Sequence, residues 1–451
     1  MIAFVLASAA PAWAQHEHHH MEEAAAPPPS PSIVDLELSR NASGTAWQPE
    51  TTPHAAIHGQ LAGLELMFHE SLFAGYDYQS GARGDHEPIG IGWVMGMARK
   101  RFGSGSLLAR AMLSPEAWTV GYRDGGYPLL LQTGETFQGA PLHDRQHAHD
   151  LFMELALLYT QEVADGVALQ LYAAPSGEPA LGPIAFPHRW SASADPMATL
   201  SHHWQDSTHI SFGVLTAGLI WRGLKVEGSW FNGREPDEKR YDFDFHPFDS
   251  YAARISVAPA PAWTAQVSYG YLKSPEALRP GVAVQRYTAS AMYDHALGAE
   301  GHWAATASFG ANDETGEAFA ASGLVEANVD LDGRNVLFGR VEVVQKSGFD
   351  LVLPAGLTEE RYLLSAFNLG YLRNLGRLGA FLPGVGARGT LNLVPGALEP
   401  FYRSRTPVGV VAYLRLAIAP MSHAEHAHHQ MDGMDMDMPG MDMEHMDHSG
   451  H

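Results

Sequence analysis

The chain ends in a segment that is rich in two metal-binding residue types. Residues 421–451 read MSHAEHAHHQMDGMDMDMPGMDMEHMDHSGH, with eight methionines and seven histidines. Thioethers are soft, neutral ligands that favour Cu(I), and imidazoles suit Cu(II), zinc and nickel. The segment lacks the branched apolar and aromatic residues that could offset the entropy of ordering, so we expect it to be disordered. It is predicted to be a metal-binding tail.

The predicted ligands of the tail are its Met-x-Met and His-x-His side chains: His426, His428, His429, Met431, Met434, Met436, Met438, Met441, Met443, His445, Met446, His448 and His451. Copper, as Cu(I) or Cu(II), is the expected metal, followed by silver, zinc or nickel. The alternative is a solvated, low-complexity tail without a metal role. Exposed methionines oxidise readily, which counts against that alternative.

A smaller histidine cluster lies near the other end of the chain. Residues 1–14 show an apolar run and an Ala-Trp-Ala cleavage pattern, as at the end of a secretory signal peptide. The positively charged region that opens such a signal is missing here, and we expect it upstream. The expected mature N-terminal segment, residues 15–58, is His-rich and then Pro-rich, and we place it in the periplasm. Its predicted metal ligands are His16, His18, His19 and His20.

The elements between the two ends show a two-residue alternation. In 263–271, Trp263, Val267 and Tyr271 share an apolar face, while the other face is small and polar. Strands of about ten residues with aromatic ends and a Gly/Ser/Thr inner face are typical of outer-membrane barrels. We predict a transmembrane antiparallel β-barrel over 59–420, with strands near 63–77, 90–102, 105–117, 151–163, 166–175, 208–221, 223–232, 250–258, 262–272, 283–294, 301–311, 317–330, 333–346, 360–373, 376–391 and 408–419.

The predicted connections alternate between short turns and long loops, the layout of bacterial barrels with periplasmic turns and external loops. An even number of strands places both termini on the turn side, which is the periplasm. The expected location is therefore the outer membrane, with both metal-binding ends in one compartment.

Two long loops concentrate histidines and carboxylates. The loop blocks QTGETFQGAPLHDRQHAHD and SHHWQDSTHI carry most of them. They predict a second metal or pore site. The alternative is a hydrogen-bonded loop without a metal, packed into the lumen like the constriction loop of a porin. The residues concerned are His143, His147, His149, Asp150, His188, His202, His203 and His209. For the loop 232–238, NGREPDE, we expect an Arg–carboxylate network. A more specific hypothesis is that these charges determine the selectivity of a pore.

Composition and motifs exclude several functions. Lys plus Arg total 28 against 50 Asp plus Glu, a net charge of -22, so there is no basic surface for nucleic acid. Cysteine is absent, which confines metal ligands to His, Met, Asp and Glu. There is no Gly-x-Ser-x-Gly or His-Glu-x-x-His motif, and the G-x-G-x-x-G at 384–389 lies in a strand pattern. We predict no catalytic or cofactor-binding residues and no enzymatic activity; a hydrolase using Ser207 and His209 is a remote alternative.

Several blocks carry a resemblance. LLLQTGETFQGAPLHDRQHAHDLFMELA, GEPALGPIAFPHR, DSTHISFGVLTAGL and EGSWFNGREPDEKR resemble a family of uncharacterised bacterial outer-membrane β-barrel proteins over most of 60–300. The tail is similar in composition to the Met/His-rich segments of copper-resistance outer-membrane proteins, although in copper-resistance protein B that segment precedes the barrel. The resemblance implies copper handling and a membrane barrel.

The function predicted from the sequence is an outer-membrane barrel that binds copper, or a related soft metal, and helps export or sequester it in the periplasm. Its expected partners are outer-membrane lipids, metal ions and periplasmic copper-handling proteins. The alternative is a porin-like channel without a specific metal role.

Overall fold

The computed structural model of the chain describes residues 32–316 and 319–420. The predicted signal peptide at 1–14, the histidines at 16–20 and the tail at 421–451 lie outside these residues. The metal ligands expected there therefore stay predictions.

Strands dominate the described residues. They are β1 (Ile57–Leu61), β2 (Leu64–Gln79), β3 (His86–Phe102), β4 (Gly105–Leu113), β5 (Gly126–Phe137), β6 (Ala140–His147), β7 (Phe152–Ala164), β8 (Val167–Gly177), β9 (Ser211–Trp221), β10 (Leu224–Phe231), β11 (Ser250–Ala260), β12 (Trp263–Lys273), β13 (Ala283–Leu297), β14 (Gly301–Glu314), β15 (Ala320–Asp330), β16 (Asn335–Ser347), β17 (Arg361–Asn374), β18 (Phe381–Leu393) and β19 (Val408–Ile418). The helices are α1 (Ile33–Arg40), α2 (Glu116–Thr119), α3 (His202–Gln205) and α4 (Glu399–Tyr402), with 3-10 turns at Phe186–His188, Trp190–Ala192, Ser207–His209 and Gly396–Leu398.

Sixteen of these strands form one closed antiparallel barrel. Each strand pairs with the next along the chain, except that β4 pairs with β7, and β19 returns to β2 to close the sheet. β1 pairs with the start of β2, while β5 and β6 form a separate hairpin. The predicted barrel and its sixteen strands are confirmed, with strand ends that differ by a few residues.

The outward face of the barrel is apolar. In the row Trp230, Tyr251 and Tyr271, cross-strand neighbours on β10, β11 and β12 lie near the long loops. A second aromatic group, including Trp263 and Tyr293 with ring centroids 4.8 Å apart, lies near the turns. The span between the two rows is apolar, with Val267 and its cross-strand neighbour Ile255 exposed. Among the described residues, no helix is long and apolar enough to cross a membrane.

The connections divide the barrel into two ends. At one end are short turns such as 103–104, 165–166 and 222–223, and at the other are the long loops. The chain enters β2 and leaves β19 at the turn end, as the even strand count predicts.

The residues before the barrel close its turn end, which the sequence pattern did not predict. α1 begins with Ser32 as its N-cap, and Ile33 and Val34 pack with Trp47 against the inner wall. Arg40 donates a hydrogen bond of 2.9 Å to the carbonyl of Arg222, in one of the short turns. Residues 33–56 are therefore packed into the barrel mouth.

Two loops from the opposite end fill the lumen. The loop 178–210 crosses the barrel: Ser229 on β10 accepts a hydrogen bond of 2.7 Å from the backbone amide of Ala180, and Tyr413 on β19 donates one to the carbonyl of Ala194. The second loop, 114–151, contains the β5–β6 hairpin. Lys346 on β16 donates to the carbonyl of Leu131 at 2.7 Å and thereby fastens the hairpin to the wall.

Candidate metal site in the barrel lumen

Five buried imidazoles meet where the two infolded loops touch. They are His147, His149, His202, His203 and His209, called here the histidine cluster. Ring centroids of neighbouring members lie 5.1 to 6.2 Å apart, and the rings form a continuous group. In the triad His147, His202 and His203, one ligand nitrogen from each side chain lies within 4.8 Å of the others.

Three local structures bring these rings together. His147 ends β6, and the chain then runs on through His149 to the wall strand β7. His202 and His203 open the single-turn helix α3. His209 closes the 3-10 turn that follows it. Because both loops fold inward, residues some sixty positions apart in sequence share one centre.

In each ring the Nδ1 atom has a partner. The carboxylate neighbours are Glu135 for His147 (3.1 Å), Glu116 for His149 (2.9 Å), Asp206 for His202 (2.7 Å) and Glu235 for His203 (3.1 Å). Nδ1 of His209 lies 2.8 Å from the carbonyl oxygen of Asp206. An oxygen at Nδ1 favours the tautomer that carries its proton there and leaves the Nε2 lone pair free.

The Nε2 atoms of all five rings are buried and have no hydrogen-bond partner among the described residues. Leaving one buried polar atom unsatisfied costs about 1–3 kcal/mol, so five in one place call for a compensating ligand. A metal ion accepts lone pairs from several imidazoles at once. The arrangement therefore fits a metal ion bound through Nε2 with an outer layer of carboxylates.

Most of the imidazoles are held neutral. Burial lowers the pKa of His147 and of His209 well below the usual value, and the neighbouring charges of Arg240 and His202 reinforce the respective shifts. Burial also lowers the pKa of His202, against the opposing effect of Asp206. For His149 burial acts downward too, but the carboxylate of Glu116 outweighs it, so its pKa is raised. Neutral imidazole is the form that binds metals.

Three of the residues predicted for this site lie outside the cluster. His143 is partly exposed on β6, where its Nδ1 lies 2.8 Å from Asp144. Asp150 pairs with Arg240 at 3.5 Å, and within the described residues it makes no hydrogen bond to an imidazole of the cluster. His188 lies apart from the cluster, against Met112 and Trp93.

The structure also tests the predictions for the loop 232–238 and for the strand expected to begin at residue 208. The network predicted for 232–238 is present, since Arg234 pairs with Asp249 at 3.0 Å and Glu235 reaches His203. The strand predicted to start at 208 begins at Ser211, so Ser207 and His209 lie in a 3-10 turn rather than on one strand face. Ser207 accepts a hydrogen bond of 2.8 Å from Arg286.

The carboxylates that orient the rings were not predicted as site residues. Glu116 follows β4, and Glu235 lies in a loop that contributes no histidine to the cluster. Nothing in their local sequence distinguishes them from surface acids. Their contacts reveal the role: Glu116, which is 3% exposed, lies 2.9 Å from Nδ1 of His149, and Glu235 lies 3.1 Å from Nδ1 of His203.

No family model matches the chain, and no curated protein sequence matches it either. Similar solved structures include an anion-selective porin from Comamonas acidovorans, at 11% identity and a TM-score of 0.47, covering 79% of this chain and 100% of that one. OmpF of Salmonella typhi, in complex with daunomycin, has 10% identity and a TM-score of 0.49, covering 80% and 100%. The outer-membrane channel DcaP of Acinetobacter baumannii has 8% identity and a TM-score of 0.43, covering 79% and 98%. The likeness is to a porin-like barrel fold and carries no argument about ligands.

Proposed function

We propose that the chain is a porin-like outer-membrane barrel whose infolded loops bind a divalent d-block metal ion in the lumen. The observation that carries this proposal is the set of five buried Nε2 atoms without partners. The copper specificity predicted from the tail rests on residues 421–451, outside the described part of the chain, and remains a separate proposal.

The membrane location rests on the outer surface. Apolar side chains cover the middle of the wall, with aromatic rows towards both ends, and Leu171, Val267 and Leu369 are each more than half exposed. A soluble protein rarely exposes such a continuous apolar belt, whereas lipid covers it in a membrane barrel. The closed sheet leaves no unpaired strand edge, as a membrane-spanning sheet requires.

The ligand set selects the class of metal. Imidazole nitrogen suits Zn²⁺, Cu²⁺, Ni²⁺ and Co²⁺, whereas Ca²⁺ and Mg²⁺ require oxygen ligands. Three to five imidazoles without a thiolate can complete a tetrahedral or five-coordinate shell. Glu116, Glu135 and Glu235 supply negative charge close to the bound cation and hold the rings in place.

The site is built for retention rather than for free passage. The loop 178–210 spans the lumen, and its buried Arg189 pairs with Asp206 at 3.0 Å and with Glu326 at 2.6 Å. Asp206 in turn holds His202, so the wall, the loop and the cluster form one connected polar network. An ion in the cluster would therefore lie in a rigid frame, and exchange would require movement of the loops.

The test is metal binding by the purified full-length protein in detergent, after removal of metals with a chelator. We expect one equivalent of Co²⁺ or Zn²⁺ to bind tightly in the lumen, beyond the ions held by the histidines of the tail, with visible d–d absorption for Co²⁺. The double variant His147→Ala/His203→Ala removes two ligands and should weaken metal affinity by a factor of about 100 or more. This exceeds the roughly 10–100-fold loss expected when a residue that only orients a ligand is replaced. His143→Ala, on the same hairpin but outside the cluster, is the matched control. Equal binding by wild type and double variant would overturn the proposal.

A porin-like channel without a metal role is the competing function, and it is the one to which the fold similarity points. Planar-bilayer recordings separate the two. A steady conductance that is indifferent to Zn²⁺ and to the double variant favours the passive channel. A conductance that Zn²⁺ changes in wild type alone favours a metal-responsive lumen.

A further inference from the structure

A second group of ligand side chains lies on the inner wall beside the histidine cluster. Met95, Met112 and Met153 are all buried and pack in one cluster. They come from neighbouring wall strands β3, β4 and β7, and Met95 lies directly opposite Met112 in the β3–β4 register. Three thioethers thus face one small region of the lumen.

Two imidazoles adjoin these thioethers. Nε2 of His188 lies 3.2 Å from Sδ of Met112, and the His188 ring is 4.7 Å from the ring of Trp93. His69 lies directly opposite Met95 in the β2–β3 register, and its buried Nε2 has no hydrogen-bond partner among the described residues. His188 thus brings a nitrogen donor to Sδ of Met112, and the strand register places the His69 imidazole beside Met95.

Trp93 fixes part of this geometry. Its Nε1 donates a hydrogen bond of 3.2 Å to the carbonyl of Pro187, the residue before His188. The indole therefore holds the 3-10 turn that carries His188 against the wall. Its ring face is also the type of surface that attracts a cation.

The methionines of the described residues are unevenly distributed over the barrel. Seven methionines lie in the described residues, and five of them line one sector of the barrel on β2, β3, β4 and β7. Those five are Met67, Met95, Met97, Met112 and Met153. Methionine carries a soft, polarisable sulfur, so this concentration brings several thioethers together in one part of the wall.

We propose that this group is a binding site for a soft monovalent metal ion, Cu(I) or Ag(I). The thioether site is defined by Met95, Met112, Met153, His69 and His188. Thioethers are neutral and polarisable, so they bind Cu(I) and Ag(I) and discriminate against Zn²⁺, Ca²⁺ and Mg²⁺. A +1 ion in a shell of sulfur and imidazole needs no carboxylate ligand.

The thioether site does not rest on the function proposed for the histidine cluster. The two sites share the loop 178–210 but differ in ligand softness, so each has its own probe. The Ag(I) equivalent that depends on Met95, Met112 and Met153 reports on the thioether site, and the Zn²⁺ equivalent that depends on His147 and His203 reports on the histidine cluster. A failure of one proposal therefore leaves the other open to its own test.

The experiment is Ag(I) titration of the full-length protein in detergent, with crystals soaked in Ag(I) as the structural readout. The triple variant Met95→Leu/Met112→Leu/Met153→Leu keeps apolar volume and should fold, since packed interiors tolerate exchanges between Met and Leu. Met197→Leu/Met292→Leu, which replaces the methionines outside this sector, is the matched control. The tail methionines are present in every variant, so their contribution cancels.

We expect the triple variant to lose one Ag(I) equivalent, or to bind it at least about 100-fold more weakly. This loss of affinity is larger than the roughly 10–100-fold loss expected when a residue that only orients a ligand is replaced. Its Zn²⁺ affinity should not change. Wild-type crystals should show an anomalous silver peak between Sδ of Met112 and Nε2 of His188. Unchanged Ag(I) stoichiometry and affinity in the triple variant would overturn the proposal, as would a wild-type crystal without that peak. Heat-modifiable mobility on gels verifies that each variant is folded.

Discussion

The ring of His203 lies against the backbone of Gly134, so closely that a Cβ on Gly134 would overlap Nε2 of His203. Gly134 also has φ of +111°, a conformation that side-chain-bearing residues avoid. The glycine in the β5–β6 hairpin therefore makes room for one imidazole of the histidine cluster.

Gly134→Ala should weaken binding of Zn²⁺ or Co²⁺ by about 10–100-fold, comparable to the loss of an orienting residue, because the methyl group displaces the His203 ring. Gly139→Ala is the control, since Gly139 also has a positive φ but nothing lies within 4 Å of its Cβ position. Both variants strain the backbone, so a difference in affinity measured by calorimetry isolates the displaced ring. Equal loss in both would contradict this account.

Glu116→Gln should lower metal affinity by about 10–100-fold without loss of the fold. The Glu116 carboxylate accepts a hydrogen bond of 3.0 Å from the backbone amide of His149 and contacts Nδ1 of its ring. A glutamine side chain in its place would orient the ring less well and would carry no negative charge. Glu65→Gln, at the turn end of β2, is the control. Calorimetric titration with Zn²⁺ checks the difference, and an affinity equal to wild type would count against a role for Glu116.

Arg189→Met should destabilise the barrel by about 3–5 kcal/mol, because it removes a buried cation shared by Asp206 and Glu326. Arg340 still pairs with Glu326 at 2.8 Å, so the larger loss falls on Asp206. The partly exposed Arg101, which pairs with Asp35, provides the comparison. Arg101→Met should cost only about 0–1 kcal/mol. Urea unfolding in detergent measures both, and a small effect at Arg189 would mean that the lumen network does not hold the loop.

Val267→Arg tests the membrane assignment. Val267 is 55% exposed in the middle of β12, where an arginine facing lipid should cost about 2–4 kcal/mol. Leu61→Arg, at the turn end of β1, should cost only about 0–1 kcal/mol because water is near. Folding yields in lipid vesicles provide the measurement, and tolerance of arginine at both positions would argue against a lipid-facing belt.

Deletion of residues 421–451 tests the copper prediction for the tail. We expect a loss of several Cu(I) equivalents and greater copper sensitivity of the cell, since this segment contributes eight methionines and seven histidines. Zn²⁺ binding in the lumen should be retained, which separates the two proposals. Unchanged copper tolerance together with unchanged bound Cu(I) would remove the tail from the function.

Much of the wall could be predicted because its physics is local. The alternation through Trp263, Val267 and Tyr271 follows from the two-residue period of a strand that faces lipid on one side and a polar lumen on the other. Short turns such as Asp165-Gly166 and long loops then gave the topology, and the strand count gave the common end of the two termini.

The segments that fill the lumen, α1 and the β5–β6 hairpin, could not be predicted from their local sequence. α1 has a weak periodicity, and its Ile33 and Val34 are buried only because the barrel mouth is there to receive them. The hairpin β5–β6 looked like a polar loop, and it is ordered by contacts to distant walls, such as the bond from Lys346 to Leu131.

The sequence by itself determined which metal-binding side chains are available: no cysteine, histidine-rich loops in a barrel, and a tail rich in methionine and histidine. Only the tertiary structure decided which side chains meet. It joined His147 and His149 to His202, His203 and His209, left out His143, and drew His188 to the methionines of the wall. The physical reason is that strand periodicity is written into neighbouring residues, whereas the meeting of two loops depends on where the closed sheet forces both of them to fold.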